Sequence, residues 1–245
     1  MSADMDFIYG VHSVLETLKS GKRKVLQLLV EVRKRNNAVD KIILVARQRG
    51  VTVVKTAPGM LDKLCAGGNH QGVLLKAEPL SLLRLNHAVE LSRGDKNAVW
   101  LAVDEITDPQ NLGSIIRSAV CLGVSAILLP EHRTAGISPA VHKAASGAVE
   151  KARLVPVSNL TTTLLTLREA GFWIYGADMS GTPIQKAQLN KPMVLVIGSE
   201  GSGLRKKTAE HCDALVSIPQ SGGGVQSLNA ACACAVLLYA IGQKG

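Results

Sequence analysis

Aromatic residues are scarce. Two Trp, three Tyr and two Phe make up 3% of the 245 residues, so a nucleic-acid site built on stacking platforms would be poorly supplied. Cysteine is sparse as well. Cys65, Cys121, Cys212, Cys232 and Cys234 are odd in number and contain no C-x-x-C pair, which argues against both a disulfide framework and a thiolate zinc site. They read as reduced, mostly buried thiols, and no metal is expected. No apolar run approaches the roughly 18 to 20 residues that span a bilayer, and the opening MSADMDFIYG lacks the basic-then-apolar order of a signal peptide. A soluble, cytoplasmic protein is the expectation. Low-complexity tracts are missing too, and 47% hydrophobic against 19% charged residues suits an ordinary buried core, which excludes disorder over most of the length.

What the chain does have is positive charge. A formal +9 favours a polyanionic partner. With so few aromatics, phosphate contacts should carry much of any RNA affinity. Residues 1–78 hold 13 Lys and Arg against 7 Asp and Glu, and residues 79–245 hold 15 against 12, so the shorter segment is the more basic. Its cations cluster at Lys22, Arg23 and Lys24 and at Arg33, Lys34 and Arg35, on either side of the strand-like run VLQLLVEV. These clusters are either a solvated rim or an RNA-binding face.

Residues 1–78 alternate strand and helix: helical spacing over Asn36–Gln48, a strand over Val51–Lys55, a short helix over Met60–Cys65 and a strand in HQGVLLKAEPL. Residues 79–97, helix-compatible around Leu83–Leu91 and then polar, read as a linker. From Ala98, the runs AVWLAVDE, VSAILLP, ARLVPV, FWIYGAD, PMVLVIG and ALVSIP have strand length and little polar alternation. They predict an α/β domain over 98–245 around a mostly parallel sheet covered on both faces. Sites in such sheets gather beyond the carboxyl ends of the strands.

Three loops stand there. In DEITDPQNLGSIIR, Asp108 and Pro109 form an N-cap and first-turn pair, placing Asn111 in the first turn of a helix. Arg117 follows six residues later, about 120° around the axis from Asn111, so the two do different jobs. The second loop, GSEGSGLRKK, supplies glycines and Glu200, but it matches neither the dinucleotide nor the nucleoside-triphosphate fingerprint. The third, IPQSGGGVQSLN, leads into an Ala-rich helix beginning near Leu228, with Ser227 a candidate N-cap.

Together, NLGSIIR, GSEGSG and IPQSGGGVQSLN resemble the SPOUT class of RNA methyltransferases, in particular the TrmH-like ribose 2′-O-methyltransferases. YGVHSVLETL and NHQGVLL resemble the branch that methylates a guanosine of large-subunit ribosomal RNA, so the similarity covers nearly the whole chain. The resemblance implies a ribosomal-protein-like RNA-binding domain and a C-terminal domain tied in a trefoil knot. It also implies a homodimer whose site draws on both chains, and S-adenosylmethionine as cofactor. Mapped by motif, Gly198, Ile218 and Leu228 would bind the cofactor. Asn111, Arg117, Glu200, Ser227 and Asn229 would be the catalytic set, with Arg117 at the reacting 2′-hydroxyl. Arginine is a poor base in water, so it either activates that hydroxyl or stabilises the developing oxyanion.

The third loop departs from the family pattern. It has one residue more than usual between Pro219 and Ser227, Gln220 stands where Met is common, and Ala231 replaces a common Ser. Two other readings therefore stay open: a tRNA ribose methyltransferase, or a non-catalytic RNA-binding or ribosome-assembly protein on the same scaffold.

Overall fold

A computed structural model describes residues 5–34, 36–221 and 227–244. The chain divides into two compact units, one of residues 1–81 with 137–151, the other of residues 82–136 with 152–245. Each has its own sheet.

In the first unit, β1 (Asp6–Tyr9), β2 (Val25–Glu31), β3 (Thr52–Thr56) and β4 (Val73–Ala77) form a mixed sheet in the order β1-β4-β2-β3. Strand periodicity sends alternate side chains to opposite faces. Ile8, Leu28, Val30, Val73 and Leu75 meet α1 (Val11–Ser20) and α2 (Asn37–Gln48) on one side. Tyr9, Leu29 and Leu74 meet Leu61 and Cys65, at α3 (Met60–Leu64), on the other. Asn36 caps α2, its side chain accepting from Ala38 and Val39 N–H. The two N-terminal motifs meet directly. Gln71, held at a positive φ of 53°, accepts from the Val11 amide at 3.1 Å and so satisfies an orphan donor at the start of α1.

The second unit holds α4 (Leu85–Leu91), β5 (Val99–Val103), α5 (Pro109–Cys121) and β6 (Ala126–Pro130), and resumes at β7 (Leu154–Val157) after α6 (Pro139–Ala144). Then come α7 (Leu160–Glu169), β8 (Trp173–Pro183), β9 (Met193–Ile197), α8 (Lys206–Ala209), β10 (Ala214–Ser217) and α9 (Ala230–Gly242). The six strands run in the order β10-β8-β9-β5-β6-β7, and every pairing is parallel. Met193 to Ile197 are all buried, as expected of a strand covered on both faces. Trp100 anchors one core, its ring 5.2 Å from Phe172 and its indole N–H donating to Ser92 Oγ.

Two sequence expectations change here. Residues 82–97 are not a free linker: Leu83, Leu85 and Val89 pack on the second unit's core, and the Leu83 amide donates to Leu154 O at 2.9 Å. Residues 137–151 lie within the expected 98–245 domain but pack with the first unit. There Ser13 Oγ donates to His142 O at 2.8 Å and Lys151 Nζ pairs with Glu16 at 2.9 Å.

Candidate active site

The three loops converge at the carboxyl ends of β5, β9 and β10. Asp108 caps α5 by accepting from the Gln110 and Asn111 amides, and Pro109 occupies the first turn. This fixes Asn111 at the helix start, where its Nδ2 donates to Glu200 Oε1 at 2.9 Å. Asn229 Nδ2 donates to Asn111 Oδ1 at 2.8 Å and also to Glu200 Oε1. The Ala230 amide adds a fourth hydrogen bond to the network, 3.2 Å from the same oxygen. A carboxylate at the amino end of α9 is favoured by the helix dipole as well. The triangle of Asn111, Glu200 and Asn229 thus ties together residues from three loops far apart in sequence.

Asn229, not Ser227, is the N-cap of α9. Its Oδ1 accepts from Ala231 and Cys232 N–H at 2.9 and 3.2 Å, and the helix begins at Ala230. Ser227 and Leu228 instead line a cavity with Gly198 and Ile218. Gln220, where the family pattern has Met, stands on the same wall, its Nε2 4.0 Å from Met179 Sδ. The cavity's apolar side comes from Ile197, Val216 and Leu237 and its polar side from the loop 198–203. Residues 222–226 lie outside the described residues, and with them the glycine run of the third loop.

Gly198 owes its identity to this loop folding back on itself. A Cβ there would sit 2.2 Å from the Gly203 carbonyl group, because Ser199 and Gly203 exchange both backbone hydrogen bonds at 3.1 Å. The loop's exit is held by a pair the sequence reading missed. Asp104, fully buried, takes the Arg205 Nε at 2.6 Å and the Arg205 amide at 3.1 Å. The partners are 101 residues apart, and no local pattern marks them.

Arg117 is exposed on α5 and is not among the residues lining the cavity. The structure therefore gathers Asn111, Glu200 and Asn229 into one network and Gly198, Ile218, Ser227 and Leu228 around one cavity, whose lining does not include Arg117.

The cationic clusters divide. Lys22, Lys24, Arg33 and Lys34 are exposed, and Arg35 lies outside the described residues. Arg23 does not reach solvent: its side chain is 2% exposed, pairs with Asp6, and meets Glu150 Oε1 at 2.5 Å. This corrects its expected RNA contact, since both ends of the guanidinium face carboxylates. Beside Lys34, the Glu31, Asp62 and His70 side chains bring ligand-type atoms within 4.8 Å of one another. His70 Nδ1, however, accepts from the Gly72 amide at 3.1 Å, which puts the neutral ring's proton on Nε2, 3.0 Å from Asp62 Oδ1. With one ring nitrogen accepting from Gly72 and the other directed at Asp62, His70 offers no lone pair to a metal.

The family model for the SpoU rRNA methylases matches residues 98–239. The chain belongs to the SpoU rRNA methylase family. A second model, for the substrate-binding domain of RNA 2′-O-ribose methyltransferases, matches residues 7–83. The family resemblance carried by the loop motifs is thereby confirmed. Among relatives, the 23S rRNA (guanosine-2′-O-)-methyltransferase RlmB of Acinetobacter baylyi is 35% identical over 97% of this chain and 96% of its own length. The putative TrmH family tRNA/rRNA methyltransferase YacO of Bacillus subtilis is 35% identical over 100% and 98%. An uncharacterized tRNA/rRNA methyltransferase of Synechocystis sp. is 39% identical over 97% of this chain, which spans 62% of that longer relative. Among solved structures, an AdoMet-bound rRNA methyltransferase from Sinorhizobium meliloti superimposes with a TM-score of 0.79 at 25% identity, over 98% of this chain and 87% of that one. This SpoU methylase thus has the family's α/β fold.

Proposed function

We propose that this SpoU methylase transfers the methyl group of S-adenosylmethionine to a ribose 2′-hydroxyl of RNA, with a guanosine of large-subunit ribosomal RNA as target. The observation that carries the reading is the Asn111, Glu200 and Asn229 network built from the same loops that wall an apolar cavity. When bound, the cofactor supplies an electrophilic methyl on a sulfonium. The residues present suit it. Ile197, Val216, Ile218 and Leu228 offer an apolar face for an adenine ring, and the backbone of 198–203 offers peptide groups for its edge. Asn111, Glu200 and Asn229 hold the loops in one arrangement, and such positioning is worth up to roughly 7 to 11 kcal/mol in favourable intramolecular reactions.

Arg117 is assigned to the reacting hydroxyl and its phosphate, in a site completed by a second copy of the chain. The homodimer is supported by α9, where Cys232, Val236 and Tyr239 lie exposed at helical spacing and Tyr239 is 61% exposed. The trefoil threading and action in the cytoplasm belong to the same reading. Among the described residues no helix is long and apolar enough to cross a membrane. The similarity to RlmB over almost the full length and the basic first unit favour ribosomal RNA over tRNA.

The test is incubation with labelled S-adenosylmethionine and either naked large-subunit RNA or tRNA, with the label mapped to the ribose. Label in the ribosomal RNA is expected, and label on tRNA alone overturns the substrate. Label on neither, without cofactor binding by calorimetry, makes the protein a non-catalytic RNA binder. Arg117→Ala should lose most turnover with cofactor affinity intact, and near wild-type turnover removes Arg117 from the site.

A further inference from the structure

Among the described residues lining the cavity only two are charged, Asp178 and Glu200, and both are acidic. Glu200 Oε1 is committed to Asn111, Asn229 and the Ala230 amide. Asp178 is differently placed. It lies on β8, and its Oδ1 accepts from the Ser180 amide at 2.8 Å and from Ser180 Oγ at 2.6 Å. Those two bonds fix the carboxylate's orientation. Its Oδ2 is turned toward the loop 198–203, 3.8 Å from the position a Cβ would take on Gly203.

We propose that Asp178 is a cofactor-binding residue that reads positive charge, favouring S-adenosylmethionine over its demethylated product. The inference rests on the reading that this cavity holds the cofactor. Donor and product share adenine, ribose, ammonium and carboxylate; they differ by the methyl group and the positive charge of the sulfonium. When the carbon–sulfur bond breaks, its electron pair stays on sulfur and that charge disappears. A carboxylate on the wall of a partly enclosed cavity, where solvent and salt screen less than at an open surface, therefore holds the donor more strongly than the product. The cavity wall has no described cation to cancel this preference. Loss of the charge on sulfur then weakens retention of the product at the moment it should leave.

Calorimetric titration of the full chain and of Asp178→Asn with three ligands tests this: S-adenosylmethionine, S-adenosylhomocysteine, and sinefungin, which carries an amine in place of the sulfonium. The variant should bind the two cationic ligands about tenfold more weakly and S-adenosylhomocysteine within about twofold of wild type. Asp178→Glu should retain a preference for the cationic ligands. Equal losses for all three ligands, as expected of a ribose contact or a distorted loop, overturn the proposal, and so does an unchanged profile. Failure of the wild-type chain to bind any of the three is a different result, and it removes the cofactor reading itself.

Discussion

Replacing Arg23 by Met should destabilise the first unit severely while leaving its exposed positive charge untouched. The Arg23 side chain is 2% exposed; its Nη2 meets Glu150, which is fully buried, at 2.5 Å. Its Nη1 pairs with Asp6 and also donates to Glu78 O at 3.1 Å. Removing the guanidinium strands the Glu150 carboxylate in the interior, a change that costs about 3 to 5 kcal/mol. Against a total stability of about 5 to 15 kcal/mol, and at about 4 to 8 °C per kcal/mol for a domain this small, the unit's transition should fall by roughly 12 °C or more. Scanning calorimetry and urea titration of the full chain measure it. Lys22→Gln, at an exposed site, should stay within about 0.5 kcal/mol of wild type. Lys24→Gln loses only a surface pair with Glu78 at 3.6 Å, worth at most about 1 kcal/mol. The sharper control is Arg23→Met combined with Glu150→Met, which removes both buried charges and should recover much of the loss. A loss under about 1 kcal/mol for Arg23→Met, or a double variant no better than the single one, would refute the buried-pair reasoning.

That Arg23 was legible only as part of a cationic run shows where sequence reading stops. Lys22, Arg23 and Lys24 are chemically alike, and only the fold sends the middle side chain inward toward Asp6 and Glu150 while its neighbours stay in water. Glu150 is 127 residues away, so no local pattern could reveal it. The strands of the second unit were readable because burial on both faces leaves near-continuous apolar runs, and the Asp108 cap was readable because capping is local. The start of α9 was harder. Ser227 and Asn229 are both capping residues two positions apart, and the choice falls to Asn229, whose other side-chain atom is engaged by Asn111 and Glu200. Loop motifs marked the candidate site for a chemical reason, since glycines permit close backbone approach and side-chain amides both donate and accept. The Asp104 and Arg205 brace, which joins two of those loops, has no motif of its own. Helical spacing identified residues 83–91 but could not say that Leu83, Leu85 and Val89 pack on the second unit's core.

The basic face and the buried histidine give two further tests. Because Arg23 is internal, only Lys22 and Lys24 of that cluster can meet phosphates, so neutralising both should flatten the slope of log affinity against log salt by up to about 1.4 for single-stranded RNA. An unchanged slope makes them a solvated rim. His142 should make the protein sensitive to mild acid. Burial, with the nearby Arg23 guanidinium adding to it and Asp6 opposing, pushes its pKa down to about 4 from an ordinary 6.5. Its Nε2 lies 3.4 Å from Arg23 Nη2, where a neutral ring can accept and a protonated one cannot. Between those two pKa values the unfolded chain binds a proton that the folded chain refuses, so stability rises with pH through that window and is lost on acidification below about 6.5. At pH 5 the loss from this one group is roughly 2 kcal/mol, from about 1.4 kcal/mol per unit. His142→Gln removes the titrating ring, so its melting temperature should fall less between pH 7 and pH 5 than that of the wild type. Parallel declines in the two proteins would mean that His142 already carries its proton in the folded state, and that the Arg23 pocket is wetter than its geometry indicates.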